Sequence, residues 1–388
     1  MDLKTESELL DQILSFNIPK IPDETRFWMI RTQKGSFYDE FLAKKFVALA
    51  WNNIDETTDF SEQSIERLKD DIVIRFSEIN RPSTVINKCK NFIFEVKEGD
   101  ILVIPSKGSQ YITFAKAGEY FEDSTKTVEL ERTVINRIKN DDVDINDVSC
   151  PYKKRRRIQL LRTIKSNDLN YTLYRAISNY HGISNFDAYS RQILNTLYNY
   201  YIFHGSAVLV YNVRKTEPIK PRELSGLLYS NAECLSMITN ENFVSTQISL
   251  NSPGDAVYVL ENIINYAVDN WMIVFGLLVL VGGGSALSFH VPGIIEIIKN
   301  IATIKSDIRI KNAEADSKEL EVIAKRLEIN EKLKASGIDP EALKNPLEIL
   351  LDSTTALKTE PISLGDHSSI PVSVDEVPEI IDLDDDQE

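Results

Sequence analysis

Between Asn270 and Ile295 the chain carries no charged side chain, and Trp271–Val281 is apolar without a break. A stretch of that kind must be hidden from water by protein or by lipid. Read as one helix, residues 271–289 would be about 28 Å long, close to the hydrocarbon thickness of a bilayer. Gly282-Gly283-Gly284 interrupts it, and each glycine weakens a helix by about 1 kcal/mol relative to alanine. The run before the glycines is eleven residues, too short to cross alone. The flank before the segment is acidic (Asp255, Glu261, Asp269) and the flank after it basic (Lys299, Lys305, Arg309, Lys311). A single pass would place the preceding domains outside, and Met1–Lys20 has no apolar leader to export them. Two arrangements remain: an apolar hairpin or re-entrant span, or a helix pair buried at the centre of an oligomer. Ile294, Ile297, Ile298, Ile301 and Ile304 continue the segment as one helical stripe. A stripe of this size needs an apolar partner, which favours the membrane-active arrangement.

Charge is unevenly placed. Residues 352–388 hold eleven acids and one lysine, −10 of a net −15, so the preceding 351 residues carry only −5. This tail is poor in apolar residues and reads as a disordered, solubilising segment. Its end, Glu379-Ile380-Ile381-Asp382-Leu383 followed by acids, resembles a SUMO-interaction motif, which adds as a strand to a partner's sheet edge. A protein partner is therefore expected for Ile380–Leu383. Cys89, Cys150 and Cys234 are scattered and odd in number, which fits a reducing compartment and no disulfide framework. Leu9, Leu10, Ile13 and Leu14 suggest a short amphipathic helix within residues 1–25.

The aromatic-rich start is the most distinctive text. Arg26–Arg31 reads as a strand, Lys34-Gly35-Ser36 as a polar turn, Phe37–Phe41 as a short helix and Val47–Trp51 as a second strand, with one tryptophan on each strand. Glu98-Gly99-Asp100 then opens a strand through Pro105, and Tyr111–Tyr120 follows as another. An aromatic-plus-arginine cluster on short β-ribbons suits a flat, stackable ligand. Residues 26–121 resemble the PUA/EVE-like N-terminal domain of Mrr-type restriction and other prokaryotic defence proteins. The resemblance rests on Phe27, Trp28, Arg31, Gly35, Ser36, Phe37, Phe41, Val47, Trp51, Gly99, Asp100 and Gly118. The second glycine usual in that family's polar turn is absent, since Lys34-Gly35-Ser36 stands there. The resemblance implies a small β-barrel with helices and an aromatic pocket for a modified base or other nucleotide. Trp28, Phe37 and Trp51 would stack on it, and Arg31 and Ser36 would hydrogen-bond.

A basic block follows. Residues 149–176 contain eight basic residues and one acid, centred on Lys153-Lys154-Arg155-Arg156-Arg157. In a near-neutral body this is a candidate phosphate-binding footprint beside the pocket. Leu160, Leu161 and Ile164, then Leu169, Leu173 and Ile177, then Ile193, Leu194 and Leu197 are spaced as helices over 158–204.

Residues 205–268 read as a small β-α-β unit. Ser206–Val213 is a strand, Pro221–Met237 a helix and Phe243–Leu250 a strand, with a turn at Asn251–Gly254 leading into a helix from Asp255. Residues 305–335 form a charged helix with coiled-coil-like steps that Gly337 ends, and Asp339-Pro340 opens another through Leu350.

His181, His204, His290 and His367 are isolated, and phosphate-loop, dinucleotide and nucleophile-elbow motifs are absent. Asp70-Asp71 and Asp141-Asp142 lack the lysine that a nuclease strand would supply. The chain is therefore read as α+β and non-enzymatic, without a metal or other cofactor. Its parts are an N-terminal helix (1–25), a PUA/EVE-like barrel (26–150), a basic helical segment (151–204), a small α/β unit (205–268), apolar and coiled-coil-like long helices (255–350) and an acidic tail (352–388). The expected function is an antiviral defence sensor-effector, cytoplasmic or at the inner membrane. It binds a nucleotide or nucleic acid through the barrel and forms a homo-oligomer through the helices. The alternatives are a soluble nucleic-acid-binding specificity subunit that recruits a separate nuclease, and an adaptor acting through its tail.

Overall fold

The computed structural model describes residues 3–76, 79–140, 148–179, 182–239, 244–249, 254–261, 271–283, 294–304, 317–362 and 364. The chain is mixed α+β and divides into two compact units, one of residues 24–197 and one of residues 1–23 with 198–363. The first unit is thus an insertion between the opening helix of the second, α1 (Leu3–Leu14), and the rest of it. The chain leaves and re-enters the second unit at one place. Ile202 N–H donates to Pro19 O and Ile21 N–H to Ile202 O, both at 2.9 Å.

The inserted unit is built on a curled half-barrel sheet. Its first strands are β1 (Phe27–Arg31) and β2 (Phe46–Leu49), with α2 (Tyr38–Lys44) between them. Helices α3 (Glu62–Arg75) and α4 (Pro82–Lys90) follow, and a π-helical turn, Asn91–Glu95, extends α4. Then come β3 (Ile101–Pro105), β4 (Tyr111–Glu122), α5 (Val128–Lys139), β5 (Lys154–Lys165), α6 (Tyr171–Asn179), β6 (Gly182–Asn185) and α7 (Ser190–Leu197). The sheet order is β2-β5-β4-β3-β1-β6. The β1–β3 pair is parallel and the others antiparallel. Two register shifts in the long β4–β5 ladder, at Phe114/Ala115 and Ala117/Tyr120, bend the sheet as bulges do. Thr32, just past β1, donates its hydroxyl to Ala48 O in β2, so the curl brings together strands that lie far apart in the order. The inner face packs Trp28, Ile30, Leu102, Ile104, Ala115 and Ile158 against Phe37, Phe41 and Tyr152.

The helix expected from residue 158 is instead the second half of β5. Arg162 pairs with Phe114 and Leu160 with Ala115, so Leu161 is the extra residue of a bulge. The bulge shifts the strand's two-residue alternation by one, and Ile158, Leu160, Leu161 and Ile164 then show helix-like steps. Helices α6 and α7 do form where leucine and isoleucine spacing placed them.

In the second unit β7 (Tyr200–Phe203) and β8 (Ser206–Val213) precede α8 (Pro221–Ser236), β9 (Val244–Ser249) and β10 (Gly254–Leu260). Helices α9 (Trp271–Val281), α10 (Ile294–Thr303), α11 (Ser317–Ala335) and α12 (Pro340–Ala356) and the short β11 (Thr359–Glu360) complete it. The sheet runs β11-β8-β10-β9, and β7 also pairs with β8. Gly254–Leu260, expected to start a helix, is a strand: Ala256-Val257-Tyr258-Val259-Leu260 is a β-branched and aromatic run buried on both faces. Asp339 caps α12 by accepting from Glu341 N–H at 3.1 Å.

The apolar segment finds its partner inside this unit. Residues 273–281 of α9 are all buried. They pack in one core with Leu9, Leu10 and Ile13 of α1, Leu209 and Tyr211 of β8 and Ile297, Ile298 and Ile301 of α10. Among the described residues no helix is long and apolar enough to cross a membrane, so the expected span is replaced by an eleven-residue core helix. The hairpin reading falls on residues 284–293, which lie outside the described residues. Gly282 ends α9 against Tyr211, where a Cβ would sit 2.1 Å from Cε1; packing explains this glycine. Of the stripe expected along this helix, Leu320 is exposed, Ile323 and Leu327 are half-buried and Leu333 is buried, while Ile308 lies outside the described residues; α11 turns Val322, Ile329 and Leu333 into the same core. Ile380–Leu383 lies outside the described residues.

Candidate functional site

Several non-glycine residues of the inserted unit take a positive φ, and Trp51 is the bulkiest of them. Just after β2 the chain turns through Trp51 at φ +71°. A bulky aromatic in the left-handed region costs about 1–3 kcal/mol and persists only where its surroundings over-determine it. Here they do. The Glu131 carboxylate, from the first turn of α5, accepts Trp51 N–H on one oxygen and Asn52 N–H on the other, each at 2.7 Å. On the opposite side Lys154 Nζ, at the start of β5, donates to Trp51 O at 2.6 Å and Ile54 O at 2.8 Å. Glu131 is 2% exposed and Lys154 fully buried. Burial pushes the Glu131 carboxyl up, against its two backbone hydrogen bonds and Lys154. Burial pushes the Lys154 ammonium down, against Cys89, Glu131 and more distant carboxylates. Asn52 ties the same loop down separately, donating to Thr127 O at 3.0 Å and Pro151 O at 2.9 Å and accepting Lys153 N–H at 2.8 Å. The Trp51 indole is left half-buried at the edge of the core.

The other tryptophan is placed differently. Trp28 is 1% exposed, and its indole N–H donates to Asp100 Oδ2 at 2.9 Å. Asp100, in the Gly99-Asp100 turn, also accepts the N–H groups of Arg26 and Lys97. Phe37 is 2% exposed and meets Tyr152 edge-on at 5.6 Å. Trp28 and Phe37 are core side chains. Arg31 and Ser36 flank the polar turn. There Gln33, Lys34 and Gly35 take three successive positive φ values, 45°, 58° and 84°. Gly35 is required, because a Cβ there would lie 2.7 Å from the Ser106 backbone. Ser36 N–H donates to Gln33 O at 3.1 Å. Arg31 Nε is buried without a hydrogen-bond partner among the described residues.

The basic block is laid along β5, so the strand's alternation splits it. Lys154 and Arg156 point inward and are 0% and 3% exposed. Arg156 donates to Gly118 O at 2.8 Å and to the π-turn carbonyls of Phe92 and Ile93. The other cations meet carboxylates. Lys153 Nζ lies 2.9 Å from Asp55 and 2.8 Å from Glu122, and Arg155 lies 2.9 Å from Asp123 while stacking on Phe46. Arg157 stacks on Phe121 at 4.4 Å, is 3.9 Å from Glu119, and is the one of the five with a side chain more than half exposed, at 54%. Of the run that reads as a phosphate footprint, Lys153 and Arg155 neutralise acids of their own unit and Lys154 and Arg156 serve backbone carbonyls.

Sequence reasoning singled out Trp51 but not Glu131 or Asn52. Glu131 looks like any acid in the first turn of an amphipathic helix, and only its contact across the fold distinguishes it. Among the described residues no group of three or more His, Cys, Asp or Glu is placed to hold a metal ion. His204 is exposed beside Asp23; the other three histidines lie outside the described residues. Comparison with protein-family models, curated proteins and solved structures gives no match.

Proposed function

We propose that the inserted unit is a non-enzymatic recognition module that takes a flat, base-sized group by stacking on Trp51. The observation that carries this reading is the Trp51 backbone, kept in a disfavoured conformation by two buried side chains while its indole stays partly open. Outliers of this kind concentrate at ligand clamps. The resemblance of residues 26–121 to PUA/EVE-like domains of prokaryotic defence proteins supports the same reading. Arg31 and Ser36 are the polar groups of the earlier cluster that are not wholly buried. Phosphate contacts contribute little, since four of the five cations of the block are committed within the unit. The ligand class is therefore a nucleobase, nucleoside or single-stranded base. The helical unit then carries the response of a sensor-effector.

Calorimetric titration with adenosine, cytidine and a short single-stranded DNA tests this. Trp51→Gly keeps the backbone, because glycine accepts a positive φ, and removes the platform. Stacking on an aromatic is worth about 1–3 kcal/mol per base, so the variant should lose roughly tenfold or more in affinity. Equal affinity in wild type and Trp51→Gly, or no response to any of the three probes, ends the reading.

A further inference from the structure

We infer that Glu131 and Lys154 act as one clasp and are the positioning residues of this site: their charged groups hold the Trp51 backbone from both sides and so present the indole. The inference rests on the reading of Trp51 as the stacking surface. What distinguishes the pair from ordinary loop fastenings is the atoms it reaches. The β2–β5 edge is already joined by the ladder from Phe46↔Arg157 to Leu49↔Lys154. The loop is already tied to residues 127, 151 and 153 through the Asn52 side chain. Glu131 and Lys154 add something else. They satisfy the N–H groups of Trp51 and Asn52 and the carbonyl of Ile54, and Lys154 adds a second donor to the Trp51 carbonyl, which also accepts Ile54 N–H at 3.0 Å. A carboxylate supplies two acceptors for two adjacent donors, and an ammonium supplies donors for two carbonyls. Glutamine, the neutral side chain nearest glutamate in shape, offers one acceptor oxygen where Trp51 and Asn52 N–H need two. Charges are rarely buried without such a task, since desolvation opposes them. Cys89, Glu122 and Asp55 act electrostatically on Lys154, and Glu131 acts on Cys89 and Tyr152.

The test uses the full chain and two readouts. The first is the amide N–H resonances of Trp51 and Asn52, assigned by comparison with Trp51→Gly. The second is adenosine affinity per folded molecule, from calorimetry. Glu131→Gln offers one acceptor and one donor where two acceptors are needed. It should move both amide resonances and weaken adenosine roughly tenfold, while Trp51→Gly/Glu131→Gln binds no worse than Trp51→Gly alone. Glu131→Asp, which keeps the carboxylate, should restore part of the loss. Should Glu131→Gln fail to fold, Glu131→Gln/Lys154→Met leaves no lone buried charge and must show the same two changes. A folded Glu131→Gln or double variant with wild-type amide positions and wild-type affinity overturns the clasp. If the wild type itself ignores adenosine, the stacking reading falls. The amide resonances then decide the clasp alone: unmoved signals overturn it, displaced signals sustain it.

Discussion

Lys153 and Asp55 meet at 2.9 Å with both side chains less than a quarter exposed, and this contact sets how the inserted unit responds to acid. Burial alone would raise the Asp55 carboxyl. The Lys153 hydrogen bond and the hydroxyls of Thr57 and Thr58 instead bring it from an ordinary 3.8 down to about 2. A carboxyl with a depressed folded pKa contributes stability that is present above its unfolded pKa and lost as pH falls through its folded one. The loss is therefore expected between about pH 4 and pH 2. Glu122, lowered by the same lysine, acts in the same direction. Urea unfolding across that range should show the midpoint dropping. Asp55→Asn should be less stable than wild type at pH 6, by about 1–2 kcal/mol, and should have a flatter acid limb. An equally steep limb in the variant would show that the contact is not the one titrating.

The commitment of the basic block has a consequence in salt. Each phosphate neutralised on a single strand contributes a slope of about −0.7 in log K against log salt. With Arg157 as the one cation of the block more than half exposed, the slope for a short single strand should stay shallower than about −1. Arg157→Ala should bring it near zero with little change in adenosine binding. A slope of several units would mean that Lys153 and Arg155 leave their carboxylates to meet phosphate.

Much of this fold is legible in the sequence, and the failures have physical causes. Strand, turn, helix and strand over residues 26–49 follow from the aromatic alternation and the Lys34-Gly35-Ser36 turn, and α8 from Pro221 and its leucines; Trp51, expected on the second strand, instead lies past its end in a left-handed turn. The basic block misleads because a run of like charges gives no hint of what it will face. Five cations in a row read as exposed until strand alternation and the acids of two other loops are superimposed. The apolar segment misleads for a related reason. Sequence shows that Trp271–Val281 needs an apolar partner but not that α1, β8 and α10 of the same chain supply it. Of the site, Trp51 is visible as one aromatic among several, whereas its positive φ and the Glu131 contact exist only in three dimensions.

Glycines at 282 and 108 separate packing from backbone conformation. A Cβ at Gly282 would lie 2.1 Å from Tyr211 Cε1 and 2.7 Å from Leu278 O, in the core that surrounds α9. At Gly108 the backbone is left-handed, φ +71°, with nothing within 4 Å. Gly282→Ala must displace Tyr211, which is also bonded to Asn231 at 2.8 Å, and should cost about 1–3 kcal/mol or more. Gly108→Ala meets only the conformational cost, about 1 kcal/mol. Thermal or urea unfolding of the two variants ranks them. Gly108→Ala emerging as the worse of the two would mean that α9 ends against Tyr211 more loosely than the close approach implies.

The two tryptophans of the inserted unit should separate stability from binding. Trp28 fills the half-barrel core and gives its indole N–H to Asp100. Trp28→Phe removes that hydrogen bond and part of the packed volume, while Asp100 keeps the N–H groups of Arg26 and Lys97. The expected cost is about 1–3 kcal/mol of unfolding free energy, with adenosine affinity per folded molecule unchanged. Trp51→Gly should do the reverse. It gives up a half-buried side chain but relieves a left-handed backbone, so its stability should stay within about 1 kcal/mol of wild type while stacking is lost. The pair is decisive because each variant controls for the other. Unfolding curves and calorimetric titrations on the same samples would show either this crossed pattern or a common loss in both variants. A common loss would mean that Trp51 belongs to the core as Trp28 does, and that its strained backbone serves the fold alone.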